Sequence, residues 1–515
     1  MDVEQVKSMK IYWALAVFAF VVLGAAAVWM GGLNQDEGWY LYAANMVAEG
    51  QVPYRDFFFT QGPVMPWVYS AFAGIWKTWG LLGARVFTLG LGVLGIVLAM
   101  GLARRLAPDG QKGAAGLIVL FLLGCNLYHL YYVAIPKTYA LASLFVLAGF
   151  FLATFDSVFC ALGAGILFTF AAGTRISLGA ILPVVGFGLL LSRRWRALFG
   201  FFLGCFGALA LVYGPFLCDA GAREGLLAAQ QYHAARGGFD LVWAVGSVSR
   251  LVRWYLPVFI VLGLGGVGLI KSKSRVEVEQ RSADSTVRLG TSTSAILLWG
   301  FFAVFAVQML APFPYEDYQV PVMGVLAVYA AVNFVSCGMT SEHRRIGASE
   351  QVWMVLLVLG LCFANSFGSP LLEKWMTNGQ DRFWSLKKEK CELAQLRDVA
   401  KRIEALDPDG KTIFTQDLYL AIEMDRTVPR GLEMGPFAML TDAEWQKMLT
   451  ETAPDECAVA ALSGYSFAIC PPKCDERPVV QQMDYWAFLK KNFELVGREE
   501  AFGQNATPLL ILKRK

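Results

Sequence analysis

Residues 11–30 read IYWALAVFAFVVLGAAAVWM, twenty consecutive positions without a charge. At about 1.5 Å per residue such a helix is about 30 Å long, the thickness of a bilayer's hydrocarbon core. The stretch is too long for the core of a cleaved signal peptide and lacks a convincing cleavage site, so it reads as a retained first span. Ten further apolar stretches follow, at 86–103, 113–133, 139–155, 158–172, 176–191, 198–217, 254–270, 295–310, 320–335 and 352–367. The chain therefore reads as an α-helical polytopic membrane protein of about eleven transmembrane helices. Composition agrees, since 56% hydrophobic against 17% charged leaves too little polar surface for a soluble protein.

Basic residues set the orientation. With the amino terminus in the cytoplasm, the inner segments collect Lys7, Lys10, Arg104, Arg105, Lys112, Arg193, Arg194, Arg196, Lys271, Lys273, Arg275, Arg281, Arg288, Arg344 and Arg345. Outer loops are sparser, although Arg223, Arg236, Arg250 and Arg253 crowd one of them. This positive-inside bias and the odd span count put residues 368–515 outside the cytoplasm, on a plasma (bacterial inner) membrane protein. No basic patch of the nucleic-acid-binding kind is evident.

The chain thus divides into a membrane domain, 1–367, and a small extracytoplasmic α/β domain, 368–515. In the latter, 384–406 has helical apolar spacing ended by Asp407-Pro-Asp-Gly410, and β-rich runs follow at 412–415, 457–462, 493–496 and 509–512. Cys391, Cys457, Cys470 and Cys474 fall in this tail, where disulfides persist. The tail has no His, which favours a disulfide over zinc, and three pairings remain open.

The first outer loop, 31–83, is far longer than a helix connection needs. It contains Asn34-Gln-Asp-Glu-Gly-Trp-Tyr-Leu-Tyr-Ala-Ala-Asn45, then Pro53-Tyr-Arg-Asp-Phe57 and Thr60-Gln-Gly-Pro63. Residues 39–48 read as an amphipathic helix lying in the membrane interface, and 64–80 as a second, aromatic-rich helix. An acidic pair at the membrane boundary can supply a carboxylate partly shielded from water, suited to taking a proton from an alcohol. Asp36 and Glu37 read equally as helix-capping charges, and the two roles are compatible. Lys137 and Arg175, at outer ends of spans, could counter an anion or merely snorkel to the interface. Glu316 and Asp317 could line the same cavity, but paired acids in a short loop read first as solvated or capping. The three His are widely separated, so no His-based metal centre or triad is suggested, and the lack of a Gly-Lys-Ser/Thr phosphate loop argues against ATP-driven transport.

The order of first span, acidic pair, helix ending in Glu49-Gly50, Pro53-Tyr-Arg-Asp56, Gly62-Pro63 and second aromatic helix resembles the first outer loop of GT-C integral membrane glycosyltransferases. The likeness is to the protein O-mannosyltransferase and aminoarabinose transferase group, and it extends to Thr174-Arg-Ile-Ser177 and the outer α/β tail. The resemblance implies an inverting glycosyltransferase, hexosyl- or pentosyl-, that takes sugar from a polyprenyl phosphate among the membrane lipids. The acceptor would be a hydroxyl of a protein, lipid or glycan on the outer face. It implies Asp36 as base, with Glu37 orienting neighbouring groups or helping Asp36 hold a divalent cation (Mg, Mn or Zn). Arg175, Lys137 and Arg55 would bind the donor phosphate, and Asp56, Gln61 and Tyr54 the donor or acceptor. The family often has Lys or His where Gln61 stands, so hydrogen bonding is expected there rather than charge. The alternative is a transporter or flippase of lipid-linked sugars.

Overall fold

The computed structural model of the chain describes residues 3–234, 238–276, 285–312, 314–337, 348–367, 391–438, 457–463, 489–504 and 506–515. The helices run α1 (Val3–Met30), α2 (Gln35–Ala48), α3 (Val64–Ser70), α4 (Ala73–Leu106), α5 (Lys112–Val119), α6 (Leu127–Ala134), α7 (Thr138–Ala153) and α8 (Val158–Thr174). They continue with α9 (Ile181–Leu191), α10 (Trp195–Cys218), α11 (Ala220–Ala234), α12 (Leu241–Trp254), α13 (Leu256–Val276), α14 (Ser285–Met309), α15 (Val320–Cys337) and α16 (Ala348–Phe367). Among the described residues four segments are long and apolar enough to cross a bilayer, in α1, α4, α10 and Glu316–Ser336, and six if each of two bent pairs is one span. Five shorter apolar helices pack among them.

The bends have an identifiable cause. The stretch 113–133 reads as one straight span but forms α5, a π-helical turn at Leu120–Gly124, and α6, with a bend of 71°. Asn126 leaves the helical ladder: its side chain accepts the His129 N–H at 3.1 Å and so starts α6. Its amide donates to the Trp254 carbonyl at 3.0 Å, a group freed by the second break, the 82° bend between α12 and α13. Asn365 donates to the same carbonyl at 2.9 Å. The first break thus satisfies backbone exposed by the second, as a low-dielectric interior requires.

The first loop corrects one expectation. α2 does not lie on the bilayer with one face wet, because Trp39, Tyr40, Leu41, Tyr42, Ala43 and Ala44 are all buried within the protein. Its apolar residues cover the whole circumference, so it needs protein on every side. α3 and α4 cover one side, with the Trp76 indole donating to Asn45 at 2.7 Å. The tail covers another.

In the tail, Leu393, Leu396, Val399 and Ile403 make the buried stripe of the helix Glu392–Leu406. Three antiparallel strands, β1 (Val459–Ser463), β2 (Phe493–Phe502) and β3 (Thr507–Arg514), pair in the order β1-β3-β2. The run 412–415 contributes single bridges, Thr412 to Thr427 and Phe414 to Ala460, rather than a strand. Cys391 and Cys457 are buried, while Cys470 and Cys474 lie outside the described residues. One continuous apolar core holds Trp39, Tyr40 and Leu41 of α2 together with Leu418, Tyr419 and Phe502 of the tail. At the Gly80 kink (φ 63°) the tail reaches α4, where Glu423 accepts the Leu81 N–H at 2.7 Å. A Cβ at Gly80 would fall 2.2 Å from that carboxylate, so backbone angle and space both call for glycine.

Candidate active site

α2 starts with a reciprocal cap. The Asn34 side chain accepts the Asp36 N–H at 3.0 Å, and the Glu37 carboxylate accepts the Asn34 N–H at 2.9 Å. That fixes where the next two carboxylates point, and they point apart. Glu37 is fully buried against Arg85, which donates to both its oxygens at 2.7 Å. Arg85 spends its remaining donors on the carbonyls of Val28, Gly31 and Gly32. Asp36 faces a cavity of about 820 Å³, within the usual size of a ligand site.

The cavity wall joins distant parts of the chain. Lys137, preceding α7, and Arg175, following α8, line it with Asp36. Lys137 Nζ lies 2.7 Å from Asp36 and 3.1 Å from Asp317. Asp317 also accepts from the Tyr139 hydroxyl at 2.8 Å. The Arg175 guanidinium sits between the rings of Tyr318 (4.5 Å) and Tyr139 (5.0 Å) and contacts the Thr138 hydroxyl at 3.4 Å. Among the described residues no carboxylate lies within ion-pair distance of Arg175. Arg250, paired with Glu316 at 3.0 Å, and Arg253 complete a lining of four basic and three acidic side chains. Met434, Phe437 and Gln504 of the tail form one wall.

Asp36 keeps 27% of its side chain accessible, on the cavity side. Burial works to raise its pKa, but the Lys137 ammonium, with the Trp39 indole donating at 3.0 Å and Arg175 nearby, outweighs it and holds the carboxyl below its ordinary value. It is a carboxylate at neutral pH, able to accept a proton.

The expected site residues separate into two sets. Asp36, Lys137, Arg175 and Gln61 line the cavity, whereas Glu37, Tyr54, Arg55 and Asp56 do not. Arg55 and Asp56 pair at 2.9 Å on the surface, and Arg55 reaches Asp219 at 3.5 Å. Tyr54 is buried (φ 69°) with its hydroxyl on the Gln61 carbonyl, so it shapes the loop behind Gln61. Asp317 and Glu316, which read first as solvated or capping, are cavity groups, as is Arg250, read only as an outer-loop charge, while Arg85 and Tyr139 went unnoticed. The signal for Glu316 and Asp317 was a charge adjoining an apolar helix; Arg85, inside α4, and the uncharged Tyr139 gave none.

The residues do not fit a divalent cation shared by Asp36 and Glu37. Glu37 has both oxygens on Arg85, and the ammonium of Lys137 occupies the approach to Asp36. Among the described residues no three His, Cys, Asp or Glu converge as a ligand set.

No protein-family model matches the sequence, and no curated protein matches it. Solved structures do match. The chain is similar to ArnT from Cupriavidus metallidurans in the apo state, with 16% identity, a TM-score of 0.60 and 98% of each chain covered. It is similar to the same protein bound to undecaprenyl phosphate, with 14% identity, a TM-score of 0.58 and 97% of each covered. The oligosaccharyltransferase of Archaeoglobus fulgidus tethered to an acceptor peptide matches at 13% identity and a TM-score of 0.50, over 95% of this chain and 73% of that one. The resemblance first seen in one loop thus extends over the architecture, and the chain shares the fold of these solved structures.

Proposed function

We propose that the chain is an inverting glycosyltransferase that moves a hexosyl or pentosyl group from a polyprenyl phosphate to an acceptor hydroxyl at the outer face of a bacterial inner membrane. The observation that carries this reading is that Asp36 shares a cavity with Arg175 and Lys137. The carboxylate of Asp36 takes the proton of the acceptor hydroxyl. The acceptor oxygen bonds to the anomeric carbon while the bond from that carbon to the phosphate oxygen breaks, and the electron pair leaves with the lipid phosphate. Arg175, held between two tyrosine rings, is placed to counter the charge growing on that phosphate. Lys137 keeps Asp36 ionised and adds to the positive lining, while Gln61 offers hydrogen bonds to the sugar.

The acceptor is a protein, lipid or glycan hydroxyl. On this reading the chain crosses eleven times, the shorter apolar helices included, with its amino terminus inside, so that 31–83 and 368–515 share one side of the membrane. Contacts between α2 and the tail support that placement, including the Tyr42 hydroxyl accepting the Val428 N–H at 3.0 Å. The division into a membrane domain, 1–367, and an outer domain, 368–515, follows the same reading. A transporter or flippase is disfavoured because the helix breaks at Asn126 and Trp254 bond amides to a carbonyl, while the charges cluster at helix ends.

The test is incubation of the purified protein with radiolabelled polyprenyl-phosphate sugars, measuring release of free lipid phosphate. Asp36→Asn is expected to fold and to lose about 100-fold or more in turnover, the scale of a lost general base. Equal turnover in that variant would remove the mechanism.

A further inference from the structure

Gln35, one residue before Asp36, turns the other way, into the tail. Its Nε2 donates to Oδ1 of Asp417 at 2.9 Å and lies 3.2 Å from the Tyr419 hydroxyl. Its main-chain N–H donates to Gln504 at 2.8 Å. Gln35 is 2% exposed and Asp417 1%. Oδ1 of Asp417 is crowded, accepting also from the hydroxyls of Tyr419 at 2.8 Å and Ser463 at 3.1 Å.

Two atoms are left over. Gln35 Oε1 and Asp417 Oδ2 are both buried and have no hydrogen-bond partner at ordinary geometry among the described residues. Both are acceptors, and each belongs to a group whose other end is already bonded to its counterpart. Two lone acceptors cannot satisfy one another, and a buried acceptor without a donor is costly. One proton removes the conflict: placed on Oδ2, it turns that oxygen into a donor to Gln35 Oε1, and the acid and the amide close a ring of two hydrogen bonds.

We propose that Asp417 is held as the neutral acid, and that its ring with Gln35 is the fastening by which the tail positions Asp36. The positioning half rests on the reading of Asp36 as base; the protonation half does not. The surroundings agree. Among the described residues no Lys or Arg lies within ion-pair distance of Asp417. The titratable groups facing this cluster are Tyr419 of the short helix Leu418–Glu423, which Asp417 precedes, and Glu392 of the helix Glu392–Leu406, the latter accepting the Leu33 N–H at 2.6 Å. The other contacting groups, Gln35 of α2 and Ser463 of β1, are neutral. Burial pushes the Asp417 carboxyl above its ordinary value, and the hydrogen bonds from Gln35, Ser463 and Tyr419 oppose this without cancelling it.

Asp417→Asn and Asp417→Ala in the full-length detergent-solubilised protein separate the possibilities. Asn keeps both ring bonds, its NH₂ serving Gln35 Oε1 and its oxygen taking Nε2, and it cannot ionise. Turnover of Asp417→Asn is expected within about twofold of the unmodified protein, and that of Asp417→Ala about tenfold lower, the scale of a buried hydrogen-bonded pair left broken. Donor KM should be the same in all three. Thermal unfolding gives the second readout. A carboxyl whose folded pKa is raised contributes stability that is complete below the unfolded value of 3.8 and is lost as pH rises through the folded value. The unmodified protein should show that loss and Asp417→Asn should not. Overturning results are Asp417→Asn as damaging as Asp417→Ala, or identical pH dependence of unfolding in Asp417→Asn and the unmodified protein. If no sugar lipid were a substrate, the reading of Asp36 would fall, and the unfolding comparison would still decide the proton.

Discussion

With Lys137 bridging Asp36 at 2.7 Å and Asp317 at 3.1 Å, two carboxylates share one ammonium. Replacing Lys137 by Gln removes the main influence lowering the Asp36 pKa and leaves burial to raise it. For a depressed carboxyl, the ionised form is complete above the ordinary value of 3.8 and is lost as pH falls through the folded value. The acid limb of the pH–kcat profile should therefore move upward in Lys137→Gln; a limb that stays in place would show that Lys137 does not set it. Glu37 should behave differently. Its truncation to Ala leaves Arg85 buried without a counter-charge, which costs about 3–5 kcal/mol of stability, measured as the shift of the unfolding midpoint. Asp36, Lys137 and Arg175 were legible in the sequence because a charge flanked by apolar helix is conspicuous. Arg85 was not, because its partner stands 48 residues away, and Asp317, weighed as a cavity group, read first as solvated or capping because its partner Lys137 stands 180 residues away.

At the level of elements, α2 is where the first loop and the tail meet. Its beginning was read at 39 whereas the helix starts at Gln35, although Asn34 followed three residues later by Glu37 is the signature of a cap. Its surroundings could not be read, because an apolar stripe looks the same against lipid as against protein. Gly38 is the point of nearest approach: a Cβ there would lie 2.4 Å from the Tyr419 nitrogen and 2.7 Å from the Leu418 carbonyl carbon. Main-chain atoms cannot yield as a flexible side chain does, so Gly38→Ala should push the helix Leu418–Glu423 off α2, at a cost of about 1–3 kcal/mol. Limited proteolysis would register it as faster cleavage within the tail, and an unchanged cleavage rate would mean the two helices can slide apart freely. The helix breaks at Asn126 and Trp254 were hidden for a related reason, because hydropathy counts apolar residues and is blind to an Asn that bonds a carbonyl 128 positions away.

Across the whole molecule, the cavity is assembled from a loop near residue 36, helix ends near 137, 175 and 317, and tail residues near 434 and 504. The many apolar helices and the small mixed tail were evident from composition and turn chemistry. The number of full crossings was not, because bent pairs and short helices blur the relation between an apolar run and a span. This wide sourcing bears on synthesis in the cell. A chain still attached to the ribosome can insert its early helices, yet it lacks Phe437 and Gln504 and with them one side of the cavity. If the proposed function holds, growing copies should hence stay inert toward the lipid carriers around them, and sugar would begin to move only after the final fifth of the polypeptide has emerged and settled onto α2.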